Sequence, residues 1–167
     1  MSMAKATAKN SEKHTKLEFE YSKITDQIYI GTNQCCVAHF KKNLIQRGIH
    51  ADISLEEKRI DAPFGAKYYL WMPVRDHAAP NPRQFEAGTR FLDELIRSGE
   101  KVYVHCRRGH GRAPALVAAY LALYGHLSPE KAFQLIRQRR PAVHPNARQM
   151  SAVKKFVLTH KLRGAII

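Results

Sequence analysis

The sequence is short of cysteines, of long apolar runs and of acids, and each shortage excludes something. Three cysteines in 167 residues are too few and too odd in number for a disulfide scaffold. The count suits a reducing compartment, so a cytoplasmic location is expected. The longest apolar stretch runs from Ala113 to Tyr124, with Pro114 inside it. It falls far short of the ~20 residues of a membrane helix. Met1 to Lys16 lacks the apolar segment of a secretory signal. It is polar and Lys-bearing, so a disordered basic tail is expected over residues 1–18 and one folded domain over 19–167. No internal repeat is present. Hydrophobic residues at 44% and charged residues at 25% are ordinary for a globular chain, which excludes disorder throughout.

The shortage of acids matters most. Fourteen Asp and Glu face 28 Lys and Arg, a net charge of +14. The excess is uneven. From His126 to Ile167, Glu130 is the one acid against nine bases, and from Lys101 to Arg112 four bases meet no acid. Such a field attracts phosphorylated substrates, nucleic acid or an acidic membrane surface. A solvated basic face that only aids solubility would have the same composition.

Apolar spacing sets out the elements. Ile28 to Ile30, ending at Gly31, reads as a short strand. Val37, Phe40, Leu44 and Ile45 fall at helical spacing and stop at Gly48. Ile49, Ala51, Ile53 and Leu55 alternate, as in a strand with one buried face. Tyr68 to Met72, including Trp71, reads as a buried core strand. Asn81-Pro82 is an N-cap with proline at the first helical position. It opens a helix with Phe91, Leu92, Leu95 and Ile96 on its stripe. Val102 to Val104 reads as another strand, and Pro114 to Tyr124 as an apolar helix. Ser128-Pro129 and Asn146 cap two more. Strands alternate with helices early and helices dominate late. This predicts an α/β fold with a small, largely parallel central sheet flanked by helices.

The chemistry concentrates in Val102 to Pro114, V-Y-V-H-C-R-R-G-H-G-R-A-P. A strand runs into a loop bearing Gly109 and Gly111, and the loop runs into a helix. Such a loop can aim its backbone N–H groups at one point, where the helix dipole also favours an anion. The same positive potential favours the thiolate of Cys106 as a nucleophile. The planar fork of Arg112 suits two phosphate oxygens. A buried structural cysteine beside a surface arginine is the competing reading.

His105-Cys106-Arg107-Arg108-Gly109-His110-Gly111-Arg112 resembles the signature loop of cysteine-based protein tyrosine phosphatases. Pro73-Val74-Arg75-Asp76 resembles the segment that brings in their catalytic acid, 30 residues before the cysteine as in dual-specificity phosphatases. Ala118 to Leu121 and Arg140 to Asn146 resemble later elements of that family. The resemblance implies a dual-specificity phosphatase-like fold over about residues 24–162. It implies Cys106 as nucleophile, Arg112 and the loop from Arg107 to Gly111 as the phosphate site, and Asp76 as general acid and base. His105 would support the loop, and neither metal nor cofactor would be needed. Asp61 and Asp93 are the competing acids.

Family members usually carry Ser or Thr after the signature arginine, and here Ala113 stands in its place. Gly111-Arg112-Ala113-Pro114 resembles the phosphatases of regenerating liver, although their terminal prenylation box has no counterpart here. Arg107 and His110 stand where phosphoinositide phosphatases of the superfamily carry basic residues. Cys35 and Cys36 could pair with an oxidised Cys106, or be partly buried thiols. The nine histidines show no metal-ligand spacing. The resemblance therefore implies a phosphatase for phosphotyrosine, with phosphoserine and phosphothreonine. A phosphatase for phosphoinositides or another polyanion such as an RNA 5′ end, and a phosphate-binding pseudophosphatase, remain as alternatives.

Overall fold

The computed structural model describes residues 16–164. Of the tail expected over residues 1–18, residues 1–15 lie outside the described residues. The carbonyl of Glu18 accepts a hydrogen bond from Thr32 Oγ1 at 2.9 Å.

Five strands form one sheet: β1 (Tyr21–Lys23), β2 (Ile28–Gly31), β3 (Ile49–Ser54), β4 (Tyr68–Trp71) and β5 (Lys101–His105). Their order is β1-β2-β5-β3-β4, antiparallel between β1 and β2 and parallel elsewhere. Five helices accompany the sheet, two of them within the long crossovers that parallel strands need. These are α1 (Lys42–Gln46), α2 (Pro82–Arg97), α3 (Arg112–Leu123), α4 (Pro129–Arg139) and α5 (Ala147–Gly164), with a 3-10 turn at Asn33–Cys36.

The largest core lies between the sheet and α2 to α5, where Ile28, Ile53, Val104, Leu92 and Leu116 are buried. Helix α3 is its axis. Eleven of its twelve residues are buried, as expected for a helix with apolar residues on every side. Its five alanines let α2, α4 and α5 pack closely around it. Each fully buried Leu, Ile or Phe side chain contributes about 1.5–3 kcal/mol. A smaller core on the opposite face joins Tyr29, Phe40, Leu44, Ile49 and Tyr103 with Cys35 and Cys36.

Capping follows the sequence closely. Asn81 and Gln84 exchange side-chain and backbone bonds at the start of α2, and Ser128 Oγ accepts from Lys131 N at α4. Asn146 and Gln149 make the same reciprocal pair before α5.

Four expectations need correction. β4 is an edge strand, with Tyr68 41% and Trp71 38% exposed. Trp71 lies outside the core, its ring N–H donating to the Glu56 carbonyl at 2.7 Å. β3 is covered on both faces, because it sits between β5 and β4 with helices above and below. Asp52 and Ser54 are therefore as buried as Ile53. The segment from Val37 to Ile45 is no continuous helix: the 3-10 turn precedes it, α1 begins at Lys42, and Val37 is exposed. The helix expected from Pro114 begins two residues earlier, at Arg112. No helix among the described residues is long and apolar enough to cross a membrane.

Candidate active site

The C-terminal ends of the parallel strands β2, β3 and β5 converge at Gly31, Leu55 and His105. Leu55 N donates to the His105 carbonyl at 2.9 Å. Open parallel sheets bind ligands at this end of their strands. The loop from Cys106 to Gly111 leaves β5 here and enters α3.

The peptide groups of that loop are oriented one by one. The Arg107 carbonyl accepts from Asn33 N at 3.1 Å, and the Arg108 carbonyl from Arg140 Nη2 at 2.9 Å. The Gly109 carbonyl accepts from Arg140 Nε at 3.2 Å, the His110 carbonyl from His144 N at 3.0 Å, and the Gly111 carbonyl from Ala115 N at 2.9 Å. Five successive carbonyls thus bond to surrounding protein. Among the described residues, no protein acceptor meets the N–H groups of Arg107 to Gly111. An anion in the loop would supply these donors with acceptors. Gly109 takes φ +69°, and a Cβ there would lie 2.5 Å from the Gly31 carbonyl oxygen. Gly111 is as tightly held: a Cβ would lie 2.6 Å from Gln149 Oε1.

Cys106 and Arg112 are 3% and 2% exposed and line the same pocket of about 370 Å³. Arg112 Nη1 donates to the carbonyls of Val74 at 2.7 Å and Leu55 at 3.2 Å. Its Nη2 stands 3.2 Å from Asp76 Oδ1. The guanidinium is thereby fixed in plane. The Asp76 side chain is 43% exposed at the pocket wall. Its loop is fastened on three sides. Asn146 Nδ2 donates to the His77 carbonyl at 2.8 Å, Gln149 Nε2 to the Ala78 carbonyl at 2.9 Å, and Gln84 Nε2 to the Pro73 carbonyl at 2.9 Å. His77 takes φ +62°, an uncommon conformation for a residue with a Cβ. Its N–H bonds Asp76 Oδ1 at 3.0 Å.

The competing acids lie elsewhere. Asp93 pairs with Arg97 within α2 at 3.7 Å. Asp61 is buried beneath the loop, between Arg59 at 3.0 Å and His105 Nε2 at 3.5 Å. His105 also meets Asp52 at 3.3 Å. Burial disfavours the charged imidazole, but Asp52 and Asp61 outweigh it and hold its pKa above the ordinary value. Burial likewise holds Asp52 above the usual carboxylate range. His105 touches the underside of the loop and does not line the pocket. Cys35 and Cys36 are fully buried rather than partly buried.

The rim is basic: Arg107, Arg108, His110 and His144 line the pocket. The rings of His110 and His144 are 4.8 Å apart. Burial, with His144 and Arg140 nearby, holds His110 below its ordinary pKa.

Arg140 and Gln149 carry most of the support that sequence reasoning missed. Both are nearly fully buried, which is uncommon for such side chains and could be read only from the fold. Arg140 also reaches Glu20 Oε1 at 2.8 Å and Ser22 Oγ at 3.3 Å, bracing the loop against β1. Removing it leaves two loop carbonyls unpaired. Hydrogen bonds to a charged donor are worth about 1.5–3 kcal/mol. Arg140→Ala is therefore expected to weaken vanadate binding about ten- to a hundredfold and to lower the melting temperature. Unchanged vanadate affinity in a folded Arg140→Ala protein would show that the loop holds its shape without it.

The family model "Dual specificity phosphatase, catalytic domain" matches residues 28–157. Dual specificity protein phosphatase 5 of Rattus norvegicus is 39% identical over 80 residues, 47% of this chain and 21% of that protein. Tyrosine-protein phosphatase yvh1 of Schizosaccharomyces pombe is 27% identical over 138 residues, 82% of this chain and 41% of that protein. The matches thus span less than half the length of these relatives. Among solved structures, human DUSP28 superposes with a TM-score of 0.76 at 22% identity, covering 84% of this chain and 95% of that one. PTPMT1 superposes with the same score at 20% identity, covering 89% and 100%. These structures share the fold, and the family match spans four of the five strands, the cysteine loop and most of α5. The chain belongs to the dual specificity phosphatase family.

Proposed function

We propose that this domain hydrolyses phosphotyrosine, together with phosphoserine and phosphothreonine, through a phosphocysteine intermediate. One observation carries the reading. Cys106 lines a pocket whose loop N–H groups lack protein acceptors, with Arg112 and Asp76 at its wall. The Cys106 thiolate attacks phosphorus in line and displaces the alcohol or phenol oxygen. The loop amides and Arg112 hold the three equatorial oxygens as their charge redistributes. Asp76 gives its proton to the leaving oxygen, then takes one from the water that releases phosphate.

A second reading, a phosphoinositide substrate, is favoured by the cluster of Arg107, Arg108, His110 and His144 around the pocket. A multiply phosphorylated headgroup would meet the guanidinium groups of Arg107 and Arg108 there, with the two imidazoles beside them. PTPMT1, which shares the fold, has been solved in complex with PI(5)P. Phosphate release from phosphopeptides, phosphoinositides and 5′-triphosphate RNA decides between them. Phosphopeptides are expected to be the best substrates. No release from any of them, with phosphate still bound, would make the domain a binding module.

Asp76→Asn is expected to lower kcat about 10²–10⁴-fold on substrates with poor leaving groups, and far less on activated aryl phosphates that need no proton. An equal loss on both would give Asp76 a structural role.

Ala113 bears on the second step. It is fully buried in the first turn of α3, where it offers no hydroxyl to the departing sulfur. Hydrolysis of the phosphocysteine is then slow and limits turnover. One charge-assisted hydrogen bond is worth about 1.5–3 kcal/mol, or about ten- to a hundredfold in rate. Rapid-quench kinetics should show a burst of leaving group followed by a slow steady state. Ala113→Ser should raise that steady state. Absence of a burst, with unchanged turnover in the variant, would place the slow step elsewhere.

A further inference from the structure

Beneath the cysteine loop, on the sheet face away from α3, four metal-ligating side chains converge. They are Cys35 and Cys36 of the 3-10 turn, Asp52 of β3 and His105 of β5. One donor atom from each lies within 4.8 Å of all the others, and all four residues are 0% exposed. We infer that, with both thiols reduced, these residues form a closed binding site for one zinc-class divalent cation.

The distances carry the inference. Cys36 Sγ is 3.6 Å from Asp52 Oδ2 and 3.6 Å from His105 Nε2, and His105 Nε2 is 3.3 Å from Asp52 Oδ1. A tetrahedral zinc has bonds of ~2.3 Å to sulfur and ~2.0–2.2 Å to nitrogen and oxygen. Its ligand-to-ligand edges are then about 3.6 Å for sulfur to nitrogen or oxygen and about 3.4 Å for nitrogen to oxygen. The two edges from Cys36 match those of one such ion, His105 and Asp52 approach at a nitrogen-to-oxygen edge through the other carboxylate oxygen, and the Cys35 sulfur lies within 4.8 Å of all three.

The polar atoms also lack adequate partners. Asp52 Oδ1 and the nearby Asp61 Oδ2 both face His105 Nε2, and neither receives a hydrogen bond. Buried carboxylate oxygens left in that state are costly. A cation bonded to Asp52 would relieve one of them. Two thiolates with an imidazole select zinc over magnesium or calcium. Four protein ligands in a dry core leave no open position, so the site braces structure rather than activating water.

In the structure the Cys35 and Cys36 sulfurs are joined to each other. Two equivalents of a small thiol reduce this pair to two thiols and become one disulfide themselves. The cation then displaces a proton from each sulfur and the proton that His105 Nε2 holds toward Asp52, all of which pass to solvent. Its consequence for the loop is direct. The same 3-10 turn carries Asn33, whose N–H holds the Arg107 carbonyl, and His105 immediately precedes Cys106. The bound ion would tie that turn, β3 and β5 together.

Cobalt(II) titration of the reduced, chelator-treated protein tests this without reference to phosphatase activity. One equivalent should give thiolate-to-cobalt charge-transfer absorption and the strong visible bands of a tetrahedral ion. Zinc should displace it and raise the melting temperature. The chain has three cysteines, so Cys106→Ser leaves only Cys35 and Cys36. X-ray absorption of zinc-loaded Cys106→Ser should therefore show two sulfur ligands at ~2.3 Å. Cys36→Ser should abolish the cobalt charge-transfer band of the native site. No bands in the reduced native protein would overturn the proposal. So would loss of the bands in Cys106→Ser, which would place the metal on the nucleophile. Both deciding measurements hold even if Cys36→Ser fails to fold.

Discussion

Five consecutive peptide groups set the chemistry of this molecule. From Arg107 to Gly111 each carbonyl is bonded to surrounding protein, by Asn33, Arg140, His144 and the first turn of α3. A peptide plane is rigid and joins the carbonyl of one residue to the N–H of the next, so anchoring these oxygens on one side points the N–H groups of Arg108 to Arg112 to the other. The N–H groups are thereby left for a ligand that has only acceptors. Phosphate is such a ligand, and Arg112 meets it with two further donors. Preorganisation of this kind costs nothing at the moment of reaction, because the fold has already oriented the dipoles.

Those anchors come from the whole chain. Asn33 follows β2, Arg140 ends α4, and His144 lies between α4 and α5. Arg140 reaches across to Glu20 and Ser22 as well. Gln149, at the start of α5, fastens the acid loop to the same scaffold and stands against Gly111. The nucleophile loop and the acid loop therefore share one support. The alanine-rich axis of α3 makes this possible, since its small side chains let α4 and α5 approach closely enough for Arg140 and Gln149 to reach.

Much of this was legible in the sequence because it rests on local chemistry. Asn81-Pro82, Ser128-Pro129 and Asn146 announce helix starts through backbone bonds to residues three positions on. His105 to Arg112 announces a strand, a glycine loop and a helix. Asp76 was legible only through family resemblance. Properties set by distant packing were not legible. The run Tyr68 to Met72 looks buried, yet β4 has no strand on its outer side. Asp52 sits at what reads as a solvent-facing position, yet the 3-10 turn covers it. Asp61 reads as a loop acid and proves to be buried against His105. Arg140 gave no sign of its role, because its partners at Arg108, Gly109 and Glu20 lie 31 or more residues away.

The most direct test of the loop's role is a crystal structure of the protein with vanadate. The oxyanion should sit over Cys106, its equatorial oxygens accepting from the loop N–H groups through Arg112 and from Nε and Nη2 of Arg112, with the five carbonyls and the Nη1 bonds to Val74 and Leu55 still as they are here. Vanadate held elsewhere, or a loop whose carbonyls turn inward to meet a different ligand, would contradict the account.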